Sequence, residues 1–220
     1  MVFAATGSAS FDFYGTTRQG DNLFSDCVLA LDARTGRRIW HFQGVKHDLW
    51  DWDFPAPPAL VTVTRNGRPV EAVAQVTKFG DTFVLDRRTG ASLFPIEDRP
   101  VPPSTVDGEF ASPTQPRPVK PAPFARQGLT EDMLTTRTPE AHAAVLARFR
   151  AMKSGMFQPP SLEGTVVFPG FDGGAEWGGV AFDAGSGLLF VNSNEMPWIV
   201  KLIPNNDTSL YNSKCATCHR

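Results

Sequence analysis

The sequence has no strong excess of charge and no long apolar run. Its 21 lysines and arginines nearly balance its 23 aspartates and glutamates, which leaves a net charge of −2. Such a balance gives no electrostatic surface for nucleic acid or for an anionic membrane. No apolar stretch approaches the roughly 18 residues that cross a bilayer, and the opening MVFAATGSAS lacks the basic and apolar regions of a signal peptide. The sequence therefore argues against nucleic acid as a partner and against a membrane-spanning helix.

Cysteine is also scarce. The three cysteines are Cys27, Cys215 and Cys218, and the last two belong to the motif CATCH, which ends in His219. An odd number of cysteines with a terminal Cys-x-x-Cys-His motif does not fit a disulfide framework. Because one residue follows His219, we expect residues 205–220 to be the truncated start of a second domain.

What the sequence does have is a repeated strand–turn–strand motif. The motif reads ALDARTGRRIW at 30–40, VLDRRTGASLF at 84–94 and, more loosely, AFDAGSGLLFV at 181–191. In each copy the aspartate can bond to the turn backbone, and the glycine accepts the positive φ that such a turn requires. The 19 glycines and 19 prolines likewise favour many short strands joined by turns.

The spacing of these repeats predicts blades of a β-propeller. Gly36 and Gly90 lie 54 residues apart, which suits one four-stranded blade. Gly90 and Gly187 lie 97 residues apart, which suits one blade plus an insertion. On the repeats alone, unrelated hairpins of a β-sandwich are the alternative.

Residues of about 95–160 are interpreted as the insertion. Pro95–Pro123 is rich in proline, so we expect it to run extended over the surface. A helix should follow, with Thr138 as its N-cap, Pro139 at the first helical position and an end at Ser154. The insertion is therefore predicted to be a short, cap-like excursion on a β scaffold.

The most unusual segment is HDLWDWD at 47–53, which holds three carboxylates, two tryptophans and a histidine. Neither alternate set of its residues is cleanly apolar, so the segment does not fit an amphipathic strand. Trp50 and Trp52 are expected to pack in the core, because aromatic side chains mostly do. Asp48 and Asp53 are interpreted as structural supports.

The first repeat is similar to the tryptophan-docking repeat of quinoprotein dehydrogenases, A-x-D-x-x-T-G-x-x-x-W. These enzymes are eight-bladed β-propellers that carry pyrroloquinoline quinone (PQQ). The resemblance continues through HDLWDWD, TKFGDTFVLDRRTG, PTQP, PPSLEGTVVFPG and EWGGVAFD, up to about Pro204. It looks closest to the glucose-dehydrogenase-like branch, although Lys46 stands where that branch usually has a second histidine. The resemblance implies an all-β fold for residues 1–204, a partial eight-bladed propeller with a Pro-rich and helical insertion.

The resemblance also implies roles for individual residues. Asp51 would be the general base, beside a bound calcium or magnesium ion. Lys78, 27 residues further on, would contact the quinone, and Glu176 and Trp177 would be neighbours of the cofactor. Without the resemblance, Asp51 could be a turn aspartate, Lys78 a solvated lysine and Trp177 a packing residue.

In this context CATCH is a c-type haem attachment signature. Cys215 and Cys218 would form the thioether bonds and His219 would bind the iron. Residues 205–220 would then begin a cytochrome domain that takes electrons from the reduced quinone. Without that context the two cysteines could bind zinc or act in redox chemistry.

Together these features predict a fragment of a periplasmic PQQ-dependent dehydrogenase that oxidises a glucose-like sugar or an alcohol by hydride transfer. Its partners would be that substrate and a downstream electron acceptor, a cytochrome or a quinone. Eight blades of about fifty residues need roughly twice this chain, so we expect the isolated chain to be inactive. The alternative is a non-catalytic propeller that serves as a protein-binding scaffold, which would need neither the base, the lysine nor the haem motif.

Overall fold

The three repeats form tight turns in the computed structural model, which describes residues 1–204. Asp32, Asp86 and Asp183 each accept the backbone N–H two residues on, at 2.9 Å. The glycine that ends each turn has a φ between +71° and +75°, in the left-handed region that costs glycine little. The predicted turn chemistry is therefore confirmed in all three copies.

The described residues contain thirteen β-strands and one α-helix, α1 (Pro139–Arg150). The strands are β1 (Val2–Ala5), β2 (Cys27–Leu31), β3 (Arg38–Gln43), β4 (Ala59–Arg65), β5 (Arg68–Val76), β6 (Thr82–Asp86), β7 (Ile96–Pro100), β8 (Thr114–Pro118), β9 (Lys153–Ser154), β10 (Thr165–Val167), β11 (Val180–Asp183), β12 (Leu188–Val191) and β13 (Trp198–Val200). They pair in the orders β1-β2-β3, β4-β5-β6, β7-β8, β11-β12 and β13-β10-β9. All of these pairs are antiparallel except β9 with β10. The predicted all-β fold is confirmed.

The return strand of the second repeat differs from the prediction. After β6 the chain pairs back through a single bridge between Leu85 and Ser92 and through two hydrogen bonds, from Asp86 N–H to the Ala91 carbonyl and from Leu93 N–H to the Val84 carbonyl. Pro95 follows directly, and its missing N–H cannot extend a ladder of hydrogen bonds. The fourth strand of this sheet is therefore reduced to a few residues.

Trp40 joins the first sheet to the second. Its indole N–H donates to the Arg87 carbonyl at 3.1 Å. Its ring lies so close to Gly90 that a Cβ there would stand 2.7 Å from the ring. The tryptophan of the first repeat thus docks on the turn of the second.

The insertion is extended, as predicted, but the expectation that it runs over the surface is wrong for β8. Residues 115–118 of that strand are buried. Phe157, 3% exposed, also enters the core, where its ring meets those of Trp50 and Trp52 edge-on at 5.0 and 4.9 Å between centroids. These side chains are buried because the neighbouring loops offer polar partners and aromatic faces, which composition does not reveal.

The helix forms as predicted, with an earlier end. Thr138 Oγ1 accepts the Ala141 N–H at 3.1 Å, and Pro139 takes the first helical position. The helix ends at Arg150 rather than Ser154, because Lys153 and Ser154 pair with β10 as β9. Within residues 1–204 no helix has the length and apolar character needed to cross a membrane.

The main core lies between the sheets and the segment after β3. Its largest fully buried side chains are Trp50, Trp52, Phe79 and Phe83. The expectation that both tryptophans pack in the core is therefore confirmed, and their burial fixes the loop that carries the candidate base between them.

Candidate active site

Asp48 organises the Asp51 loop, which we define as residues 47–53. Its carboxylate is buried and accepts the backbone N–H groups of Trp50 and Trp52, both at 2.8 Å. This geometry bends the backbone so that both tryptophan side chains enter the core. Asp48 is thus a structural residue, as expected from the sequence.

Asp51 lies between the two buried tryptophans and projects away from them. Its φ of +55° is left-handed, a conformation that non-glycine residues other than Asn and Asp seldom adopt. Its side chain is 29% exposed. The loop therefore holds the Asp51 carboxylate at the edge of solvent, between two buried tryptophans in the sequence.

Lys78 reaches Asp51 from the turn between β5 and β6. Its side chain is 8% exposed, and its Nζ lies 3.1 Å from Asp51 Oδ2 and 2.6 Å from Asp53 Oδ1. Glu176 Oε1 is a third carboxylate oxygen, 4.0 Å from the same nitrogen. Three of the residues singled out in the sequence thus meet in space, and Asp53, interpreted only as a support, is the nearest partner of the lysine.

Burial and charge act against each other on these groups. Burial raises the pKa of Asp51, and the nearby Lys78 ammonium only partly offsets this. Burial acts to lower the pKa of Lys78, but the Asp53 and Asp51 carboxylates raise it above its usual value. Burial likewise raises the pKa of Glu176. Lys78 is therefore held as a cation, while Asp51 is a stronger base than an exposed aspartate.

Two glycines let the segment before β11 approach Lys78. A Cβ at Gly173 would stand 2.7 Å from Lys78 Cγ, and one at Gly174 would stand 3.1 Å from the Lys78 carbonyl oxygen. The Ala175 N–H donates to the Thr77 carbonyl at 3.2 Å. This close contact carries Glu176 to the lysine, as the glycine-flanked segment suggested.

Trp177 is 80% exposed, so it does not act as a packing residue within the described part of the chain. With Gly7, Asp53 and Pro57 it lines an open depression of about 410 Å³ beside the lysine. Asp53, which also contacts Lys78, and the exposed indole thus line the same depression. An indole offers a stacking face and an ammonium donates to carbonyl or carboxylate oxygens, so these two groups suit a planar, oxygen-rich ring.

The metal prediction has weaker geometric support. Across residues 1–204, no three His, Cys, Asp or Glu side chains converge in a way that could hold a metal ion. Cys215, Cys218 and His219, for which the sequence predicts haem attachment, lie outside the described residues.

Sequence reasoning missed Ser8 and Asp26, which lie beneath the loop. Ser8 Oγ donates to Asp48 Oδ2 at 2.6 Å and lies 3.5 Å from Asp51 Oδ1. Asp26 is fully buried and lies within 3.4 Å of the same hydroxyl. Both residues come from the chain before β2, and no spacing or motif signals their approach.

A sequence model of the PQQ family, described as glucose/ethanol/alcohol dehydrogenase, beta-propeller domain, matches residues 1–218. The chain is 37% identical over 214 residues to a quinoprotein glucose dehydrogenase from Escherichia coli K12, covering 93% of this chain and 26% of that protein. It is 36% identical over 208 residues to a glycerol dehydrogenase large subunit from Gluconobacter oxydans, covering 92% and 28%. A europium-containing methanol dehydrogenase superposes with a TM-score of 0.59 at 20% identity, covering 94% of this chain and 30% of that structure, which indicates a shared fold.

The docked antiparallel sheets, together with these matches, define a β-propeller of the quinoprotein class. The chain belongs to the PQQ-dependent dehydrogenase family whose propeller domain is shared by glucose, ethanol and alcohol dehydrogenases. It spans about a quarter of the length of the curated relatives it matches.

Proposed function

We propose that the chain forms part of a PQQ-dependent dehydrogenase that oxidises a glucose-like sugar or an alcohol. The observation that carries this proposal is the contact of Lys78 with both Asp51 and Asp53 beside the exposed Trp177. Relatives named as glucose, glycerol and quinate dehydrogenases support the reaction class without choosing between substrates.

Asp51 is the general base of this proposal. Its raised pKa suits a group that accepts a hydroxyl proton near neutral pH, and its partial exposure leaves one side open to a substrate. Lys78 offsets part of the charge of the neighbouring carboxylates, and its ammonium would also donate to the cofactor. PQQ, when bound, supplies the oxidant that accepts the hydride.

Trp177, Glu176 and Lys78 would hold the quinone, with the indole against the ring plane. Asp51 would be one ligand of a calcium or magnesium ion, which would keep that carboxylate ionised. The remaining metal ligands would have to come from elsewhere, since residues 1–204 form no complete cage.

Electrons would then pass to a c-type haem bound through Cys215, Cys218 and His219, and onward to a cytochrome or quinone. We place this chemistry in the periplasm, where haem attachment and PQQ enzymes meet. The three carboxylates around the nearly buried Lys78 argue against the alternative of a non-catalytic scaffold. Burying charges that are not fully paired lowers stability, and a scaffold would gain nothing from that cost.

A chimera tests the proposal. Residues of this chain would replace the matched segment of the Escherichia coli glucose dehydrogenase, and glucose-dependent dye reduction would be measured with PQQ and a divalent cation. We expect activity, and we expect Asp51→Asn to abolish it while PQQ remains bound. A folded, PQQ-loaded chimera that stays active with Asp51→Asn would remove Asp51 from the mechanism.

The chain alone is expected not to turn over glucose, because it covers about a quarter of each active relative. Robust dye reduction by the purified chain with PQQ and calcium would show this expectation to be wrong.

A further inference from the structure

Two loops carry the candidate site, and polar side chains of the insertion contact both of them. The first is the Asp51 loop (residues 47–53), and the second is the turn between β5 and β6, which we call the Lys78 turn (residues 77–81). Neither loop is fixed by regular strand pairing along its own length. What holds each loop therefore decides where Asp51 and Lys78 stand.

Glu109 binds the start of the Asp51 loop. Its side chain is 2% exposed, and its Oε1 lies 3.3 Å from Nε2 of the fully buried His47. The same carboxylate accepts the backbone N–H groups of Gly15 and Phe110. Burial acts to raise the pKa of Glu109, but the contact with His47 and these two N–H groups lower it below its usual value. Glu109 is therefore a buried, ionised anchor for the histidine that opens the loop.

Gln115 holds the residue just before that loop. Its side chain is fully buried and bonds both backbone groups of Lys46, accepting from the N–H at 2.8 Å and donating to the carbonyl at 2.6 Å. The amide thus takes the place of a neighbouring strand. β8 supplies this contact, which explains why a Pro-rich strand is buried.

Arg117 and Gln127 hold the Lys78 turn. Arg117 Nε donates to Asp81 Oδ2 at 2.6 Å, and its Nη2 donates to Gln127 Oε1 at 2.7 Å. Gln127 Nε2 in turn lies 2.9 Å from the Phe79 carbonyl and 2.8 Å from Asp81 Oδ1. These bonds fix two residues that follow the lysine, Phe79 directly and Asp81 through two partners.

Phe157 links the two loops through the core. Its ring meets Trp50 and Trp52 of the Asp51 loop edge-on and also contacts Phe79 of the Lys78 turn, at 5.4 Å between centroids. One side chain of the insertion thus packs against both loops at once.

We propose that Glu109, Gln115, Arg117 and Gln127 of the insertion are positioning residues that set the placement of Asp51 relative to Lys78. The inference rests on the proposed function for its catalytic consequence, although the clamping itself concerns only this chain. A surface cap would not place three polar side chains of one segment on the two loops and a fourth on the residue that precedes one of them.

Local amide exchange on the full chain tests the two halves separately. Glu109→Gln replaces one carboxylate oxygen by an NH2 group, which cannot accept the bond that this oxygen accepts in the wild type. Gln127→Ala removes the bond to the Phe79 carbonyl of the Lys78 turn. Loss of one such buried bond should speed exchange about tenfold, at residues 47–53 in the first variant and at 77–81 in the second. Each variant serves as the control for the other loop. Glu97→Gln is the matched control, because it makes the same change on an exposed side chain of β7.

Kinetics in the chimera separate positioning from simple stability. Per PQQ-loaded site, Glu109→Gln should lower kcat about tenfold with KM and PQQ affinity unchanged, because it displaces only the base, whereas Gln127→Ala should weaken PQQ binding. If these residues only stabilised the fold, the variants would give less folded protein, but the kcat and the PQQ affinity of each loaded site would be unchanged.

Exchange that stays at the wild-type rate in both variants, or that rises equally in both loops, would overturn the inference. The same holds for unchanged kcat and PQQ affinity in loaded, folded chimeras. If Asp51→Asn remains active, the proposed function fails, and the exchange pattern still decides the clamping.

Discussion

We predict that the protein is more stable near pH 5 than at pH 7.5, because two carboxylates beneath the site, Asp26 and Asp48, are buried. Burial raises the pKa of Asp48 to about 6. Burial and the nearby Asp48 charge raise the pKa of Asp26 well above its usual range. The folded state therefore binds protons that the unfolded chain has already released.

The sign and size follow from linkage. Above about pH 4 the unfolded Asp48 is ionised, so unfolding releases a proton and the free energy of unfolding falls as the pH rises through about 6. The shift from 3.8 to about 6 corresponds to about 3 kcal/mol over that whole range, of which about 1.4 kcal/mol, the part between pH 5 and about 6, is lost between pH 5 and pH 7.5. Carboxylates with a lowered pKa act in the opposite direction, but below about pH 4 for an aspartate such as Asp32 and below about pH 4.5 for a glutamate such as Glu109, so outside the interval from pH 5 to 7.5.

Urea denaturation between pH 4.5 and 8 measures this dependence. Asp26→Asn removes one buried charge with little change in shape, so it should raise the unfolding free energy at pH 7.5 by about 1 kcal/mol or more and flatten the pH profile. The matched control is Asp107→Asn, an exposed position where neither effect is expected. Stability that increases from pH 5 to 7.5, or an Asp26→Asn protein less stable than wild type at pH 7.5, would refute the reasoning.

Two further changes test the packing that supports the site. Phe157→Ala should lower the free energy of unfolding, measured by urea denaturation, by about 3–5 kcal/mol, because it empties a core position against both loops. Phe11→Ala is the control, since that side chain is 75% exposed and its loss should change stability little. Equal losses in the two variants would contradict the placement of Phe157 in the core. Trp40→Phe removes the bond to the Arg87 carbonyl and should lower the free energy of unfolding by about 1–2 kcal/mol in the same measurement. Trp177→Phe is the control and should leave stability unchanged. A Trp40→Phe protein as stable as wild type would argue against docking between the repeats.

Local chemistry made part of this structure predictable. The turn aspartates and glycines act within a few residues of themselves, and Thr138 caps its own helix, so the sequence alone indicates them. The step from Asp51 to Lys78 was predictable only through resemblance to a family, and the structure places the two side chains in contact at 3.1 Å.

Contacts between distant segments were not predictable in the same way. Gln115 meets Lys46 across 69 residues and Ser8 meets Asp48 across 40, and neither pair shares a motif or a period. The composition also predicted the wrong exposure for β8, because a proline-rich strand is expected on the surface unless its buried partners are known. Asp53 was undervalued for a related reason, since only geometry shows which of three neighbouring carboxylates lies nearest to Lys78.

The left-handed backbone of Asp51 restricts which substitutions are informative at that position. Asparagine tolerates the same φ of +55°, so Asp51→Asn removes charge while keeping shape. Asp51→Glu keeps the charge but has no comparable tolerance for this conformation, so a loss of activity there would mix backbone strain with a misplaced carboxylate. Variants at position 51 should therefore be compared with Asp51→Asn as the reference variant, rather than with the alanine or glutamate variant.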